Sequence, residues 1–112
     1  MNVKFLLTSL KNKKEIKKLF NQGLIISNSF FIFKYLPNKT NVSIRFVIST
    51  SKKIFPTAVK RNKIKRQIRV FMKQIDNFNR SIDLLVIVKK TYDVNNFIKN
   101  GTSFKSLISK II

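Results

Sequence analysis

The sequence predicts an α+β fold, a two-layer domain in which a mixed β-sheet is packed with about three helices. Three observations carry this. Apolar residues recur at helical spacing in one long segment and two shorter ones. Between these lie segments that alternate in polarity or are continuously apolar, as strands are. The order is helix, two to three strands, long helix, strand, helix, neither strictly alternating nor fully segregated, which places the helices on one face of the sheet. At 112 residues, the chain is expected to form a single domain spanning 1–112 around one core. Domains of this size fold without disulfides, and there is no Cys to make one.

The first helix is signalled by "NKKEIKKLFNQG". Asn12 is the cap, Glu15 stands three residues on in capping-box position, and Gly23 ends the helix in the left-handed conformation. Ile16, Leu19 and Phe20 share one face. "NSFFIFKYL" then alternates. Phe31, Phe33 and Tyr35 point one way, and Phe30, Ile32, Lys34 and Leu36 point the other. Both faces are largely apolar, so one is expected on the core and the other toward a ligand. "PNKTN" is a turn. "VSIRFVIST" is the next strand, with Ile44, Phe46 and Ile48 opposite Arg45, Val47 and Ser49. The short turn predicts an antiparallel hairpin of these two strands.

A basic loop, "SKKIFPT", leads through Pro56 into a helix of about four turns, from near Thr57 to near Ile75. "DLLVIV" reads as a buried strand. Thr102 or Ser103 is expected to cap a closing helix that carries Phe104, Leu107, Ile108 and Ile111. The run "LLVIV" is far shorter than the roughly 20 residues of a membrane span, and "MNVKFLLTSL" lacks a secretory-signal pattern. A cytoplasmic protein with no membrane partner is the expectation.

Charge is the strongest functional signal. Lys plus Arg is 24 against four acids, a net charge of +20. Self-repulsion of that size opposes a compact monomer unless a polyanion neutralises it. The acids are Glu15, Asp76, Asp83 and Asp93, and none lies between Glu15 and Asp76. On the long helix, Ile64, Ile68, Phe71, Met72 and Ile75 form an inner stripe. Asn62, Lys65, Arg66, Arg69 and Lys73 form an outer one. Lys60 and Arg61 add charge at the first turn, and Lys52 and Lys53 in the loop before it. A merely solvated face would interleave both signs, since like charges at i, i+4 repel. A one-signed ridge can follow a nucleic-acid backbone, with affinity from released counterions. Asn62 is then a neutral donor and acceptor for a ribose, phosphate or base edge; its alternative role is the helix N-cap.

"SKKIFPTAVKRNKIKRQIR" resembles the signature of the bacterial ribonuclease P protein subunit, an "SKK" loop followed by an Arg-Asn-basic helix. The likeness lies at Arg61, Asn62, Lys63, Lys65, Arg66 and Arg69. "LKNKKEIKKLFNQG" is similar to that family's first helix, "NSFFIFKYL" to its first long strand and "DLLVIVKK" to its last. Ile16 stands where Phe is usual, Val47 where Gly is usual, Val70 where an acid is frequent, and Lys34 where an aromatic is expected. The resemblance implies a protein that binds the RNA subunit and the 5′ leader of precursor tRNA, assisting endonucleolytic removal of the leader. It implies that cleavage and Mg²⁺ belong to the RNA, with one protein per RNA. It also implies a leader cleft between the sheet and the first helix, with Ile16, Phe20, Phe31, Phe33 and Tyr35 as its residues. Aromatics there would stack on unpaired bases.

The residues themselves point to a noncatalytic chain with no catalytic or metal-binding side chains. Protein-based phosphodiester hydrolysis draws on clustered carboxylates or a His pair. This chain has no His, and its four acids are scattered along the sequence. The alternative reading is a structural RNA-binding protein such as a small ribosomal protein.

Overall fold

The computed structural model describes residues 6–38, 43–75 and 80–111. In chain order the elements are β1 (Leu6–Ser9), α1 (Lys13–Gln22), β2 (Leu24–Ser27), β3 (Phe31–Pro37), β4 (Ser43–Ser49), α2 (Ala58–Lys73), β5 (Ile82–Val88) and α3 (Phe97–Ile108). The α+β class, the mixed sheet and the three helices are as expected. Most of the expected "PNKTN" turn, and Asp76, lie outside the described residues.

The five strands run in the order β1-β4-β5-β3-β2. This corrects the expected hairpin. β3 and β4 do run in opposite directions, but β5 lies between them, antiparallel to β3 and parallel to β4. The reason is in the β5 sequence. Apart from Asp83, Ile82–Val88 is apolar on both faces, and such a strand is stable only in the middle of a sheet covered on both sides.

The helices divide between the two faces, which corrects the expectation of one shared face. On one face, Phe31 and Phe33 of β3, Ile44 of β4, and Ile82, Leu84, Val86 and Val88 of β5 pack under α2 and α3. All five residues of the α2 inner stripe are buried there. On the other face α1 packs over β5 and β3. Its Leu19 meets Leu10 and Leu85, with Ile16, Leu36, Val47 and Ile87 around them. The sheet with α2 and α3 forms the two main layers, and α1 patches the reverse side. Phe30 also departs from the expected alternation. Asn28 Oδ1 accepts from the backbone N–H groups of Phe30 and Phe31, both at 3.0 Å. That turn delays the strand to Phe31 and puts Phe30 against Tyr92 on the main-core side.

Asn12 caps α1, its Oδ1 accepting from Lys14 N at 2.9 Å and Glu15 N at 3.2 Å. Gly23 is not left-handed, with φ −63° and ψ 146°. Glycine is required there by close approach, because a Cβ would lie 2.5 Å from the Leu19 carbonyl oxygen. α3 begins earlier than expected, with Asn96 as its cap. The exposed Phe97 and Ile98 break the apolar period at its start, and Gly101 in its middle imitates a break. Between α2 and α3, the Tyr92 hydroxyl donates to Gln67 Oε1 at 2.7 Å, and Gln67 Nε2 donates to the Val94 carbonyl at 2.9 Å. Burial pushes the Tyr92 phenol well above its ordinary pKa, against a smaller lowering by its interaction with Asn100.

At Gly101 the backbone of α3 lies against the Phe71 ring of α2. A Cβ there would meet Phe71 Cε1 at 3.1 Å, and Phe71 is buried among fixed neighbours. Gly101→Leu is expected to cost about 1–3 kcal/mol by overpacking, despite its better helix propensity. A urea unfolding midpoint equal to that of the native chain would contradict this packing.

Candidate nucleic-acid interface

α2 is set by its inner stripe. Once Ile64, Ile68, Phe71 and Met72 face the sheet, the helical repeat turns Asn62, Arg66, Arg69 and Lys73 outward, and all four are exposed. Lys60 and Lys63 are exposed as well; Lys65 is half-buried beside the sheet edge. Arg61, Lys65, Arg69 and Lys73 follow one another at four-residue steps. The helix contains no acid. Among the described residues the ion pairs are those of Arg45, on the other side of the sheet, so no α2 cation is neutralised by a carboxylate. Two cations in the first turn, Lys60 and Arg61, also oppose the positive end of the helix dipole. The ridge is thus electrostatically unfavourable in the free chain and becomes favourable against an anion.

Thr57 caps α2, its Oγ1 accepting from Lys60 N at 3.4 Å. Asn62 is therefore not the N-cap, and its amide lies free on the ridge. Arg61 is only half-exposed because it bends back. Its Nη1 donates to the carbonyls of Phe55 and Pro56, each at 2.8 Å. Phe55 is buried, and its N–H donates to the Ser51 carbonyl at 2.8 Å. These bonds fix the 51–56 loop and so hold the exposed Lys52 and Lys53 at the head of the ridge. Arg61 therefore positions the loop, a role its charge alone did not suggest.

The five expected cleft residues are not brought together. Phe31 and Phe33 are fully buried beneath Phe104, with ring centroids 5.5 and 5.2 Å from it, so neither can stack on a base. Tyr35 shares their face and is half-buried, with Arg80 Cζ 5.8 Å above its ring. Strand register is the cause: residues 31, 33 and 35 face α3, whereas α1 covers the opposite side. Of the five, only Ile16 and Phe20 lie on the α1 side. Phe20 is 57% exposed. Lys34 Nζ sits 4.0 Å from its ring centroid and donates to its carbonyl at 2.8 Å, closing the end of α1. Ile25, exposed on the edge strand, pairs with Lys34.

The hollow beneath α1 is mixed. Lys18, Arg45, Asn38, Glu15 and Asp83 line it together with Leu19, Leu36 and Pro37. Arg45 grips Asp83 with two bonds of 2.7 Å and reaches Glu15 Oε2 at 3.1 Å. The bonds to Asp83 are the main reason that the Arg45 guanidinium is held even more firmly protonated than usual. Two acids that are scattered in sequence thus converge on one cation. Sequence reasoning missed this because it paired β4 with β3, whereas the β4–β5 register sets Arg45 opposite Asp83.

A mixed-sheet α+β domain with an unneutralised basic helix and a clamped lysine loop defines a nucleic-acid-binding protein. Its family is visible in sequence as well as in shape: the Ribonuclease P family model matches residues 7–112. The ribonuclease P protein component of Mycoplasma mobile is 38% identical over 105 residues, covering 91% of this chain and 93% of that one. That of Ureaplasma parvum is 32% identical over 102 residues, covering 91% and 88%. The solved RNase P protein of Staphylococcus aureus is similar, with a TM-score of 0.76 and 27% identity over 91% of this chain and 93% of that one. The Thermotoga maritima RNase P protein shares the fold, with a TM-score of 0.81 at 21% identity, covering 93% and 97%. This chain belongs to the bacterial ribonuclease P protein family.

Arg61→Ala is expected to free the 51–56 loop. Hydrogen exchange at the Phe55 amide should accelerate, with a stability loss of about 1–2 kcal/mol for the charged donor. Unchanged exchange at Phe55 would show that Arg61 does not hold the loop.

Proposed function

We propose that this chain is the RNA-binding, noncatalytic subunit of ribonuclease P and acts in the cytoplasm, with one protein bound to each RNA subunit. The α2 ridge and the Lys52–Lys53 loop lie along the phosphates of the RNA subunit. The observation that carries this reading is the absence of any neutralising carboxylate along α2 among the described residues. A ridge of that kind gains from displacing counterions on a polyanion and has nothing else to pair with. The precursor-tRNA leader passes along the α1 side of the sheet. There Phe20 offers an exposed ring, and Lys34 and Lys18 supply positive charge, while Arg45 is engaged by Asp83 and Glu15. An incoming base takes the place of the Lys34 ammonium over Phe20.

Hydrolysis is assigned to the RNA, whose bound Mg²⁺ supplies the activated water and charge stabilisation. The state of the acids supports that division. Glu15 and Asp83 are held by Arg45, and Asp93 accepts from the Asn95 N–H. The chain has no His. The protein lowers the electrostatic cost of bringing substrate to the RNA, an effect that is largest when Mg²⁺ is scarce.

Precursor-tRNA cleavage by the matching RNA subunit at low Mg²⁺ is expected to rise strongly on adding this protein, with correct 5′ ends and no cleavage by protein alone. Absence of stimulation, with co-purification on ribosomal subunits, would instead identify a structural RNA-binding protein. Affinity for the RNA subunit should fall with salt. For about five neutralised phosphates, log K against log[salt] should have a slope of roughly −3.5 to −4.5. Arg66→Ala and Arg69→Ala should each flatten that slope by about one while unfolding as cooperatively as the native chain. A slope indifferent to both changes would remove α2 from the interface.

A further inference from the structure

Beside the ridge, on the opposite face of the sheet from the α1 hollow, lies a groove that backbone contact alone does not explain. β1 is short: its register ends at Ser9, opposite Phe46, and its last backbone bond to β4 runs from the Leu10 N–H to the Phe46 carbonyl at 2.8 Å. β4 runs on to Ser49, so its edge continues beyond its neighbour. On β1 the residues facing α2 are Leu7 and Ser9. Leu7 packs on the core, but Ser9 is small and exposed and leaves the Phe46 ring partly uncovered. The result is two hollows of about 170 and 130 Å³ that share Ser9, Phe46 and Arg69. Ile48 and Lys65 line the first, and Met72 and Lys73 the second. One wall is therefore an aromatic ring with an open strand edge. The other is a row of cations at four-residue spacing.

We infer that this groove receives unpaired nucleotides of the bound RNA, with the base against Phe46 and the adjoining phosphate on Lys65, Arg69 and Lys73. The inference rests on the reading of α2 as an RNA ridge and adds a preference to it. A phosphate track by itself accepts duplex and single strand alike. A ring at the foot of that track can be reached only by a base that is out of the helical stack. Past the bond from the Leu10 N–H to the Phe46 carbonyl, the β4 edge continues at Ile48, whose backbone can meet the base rim. An extended peptide could pair with the same edge, but its backbone is neutral and leaves the three cations unmatched; the charge of the wall favours RNA.

The test is NMR titration of the full chain with two probes, a short single-stranded oligoadenylate and a hairpin duplex RNA of similar charge. Oligoadenylate is expected to shift the Phe46 ring and Ile48 methyl signals together with Arg69 Nε; the duplex is expected to shift Arg69 Nε without the other two. Ser9→Leu, which fills the groove from its exposed rim, should lower the ratio of single-strand to duplex affinity about fivefold or more. Phe46→Leu should lower it similarly, read only on protein that unfolds cooperatively. Shifts confined to the α2 cations with both probes would overturn the groove and leave the ridge intact. No shift on α2 with either probe would overturn both. Displacement of oligoadenylate from Phe46 by an uncharged extended peptide at equal concentration would also overturn the assignment to RNA.

Discussion

The position of β5 governs the rest of the molecule. A strand apolar on both faces must lie inside a sheet and be covered twice. Satisfying that demand separates β3 from β4, sends α2 across the sheet to reach a parallel partner, and leaves the reverse face for α1. Asp83 is the one charge on this strand. It is tolerated because the neighbouring strand brings Arg45 opposite it, so a carboxylate near the centre of the sheet is met by two short bonds. The same register that buries β5 therefore places the ion-paired Arg45 in the hollow beneath α1.

The surface follows from the interior. α2 is anchored through one stripe, so its remaining positions are displayed at fixed angles on a body that does not yield. Arg61 extends this order into the preceding loop by spending its own hydrogen bonds on backbone carbonyls. The cations meet an RNA from a prearranged surface, and less conformational freedom is lost on binding than a disordered basic tail would lose. The two faces of the sheet also receive different chemistry. The α2 side is a one-signed ridge, and the α1 side mixes an exposed aromatic with cations and two engaged acids.

Much of this was legible in the sequence, for identifiable reasons. The α2 stripes were, because sixteen helical residues repeat their period several times. The buried character of β5 was legible from composition alone. The strand order was not. Adjacency in sequence argued for a hairpin between β3 and β4, and the competing demand of β5 acts only through tertiary structure. The misplacement of Phe31, Phe33 and Tyr35 has the same origin. Their alternation was read correctly, but nothing local says which face of β3 receives α1 and which receives α3. β1, with its four residues, was too short to signal itself, and the groove beside Ser9 stayed hidden with it. Gly23 was recognised as a helix end for the wrong reason, since crowding by the Leu19 carbonyl imitates the need for a left-handed residue.

The edge strand β2 carries a consequence for how the protein is handled by the cell. Leu24 and Ile25 are exposed along an open edge, and β2 has neither proline nor lysine to discourage pairing with another sheet. The guard is instead at long range: copies with a charge of +20 repel one another before their edges meet. A polyanion that neutralises the chain also dismisses that guard. When RNA is in excess each copy is isolated on its own molecule, but when protein is in excess several copies crowd on one strand with their repulsion screened. Colloidal stability therefore depends on the ratio in which protein and RNA are made, which places a premium on keeping this chain the scarcer of the two.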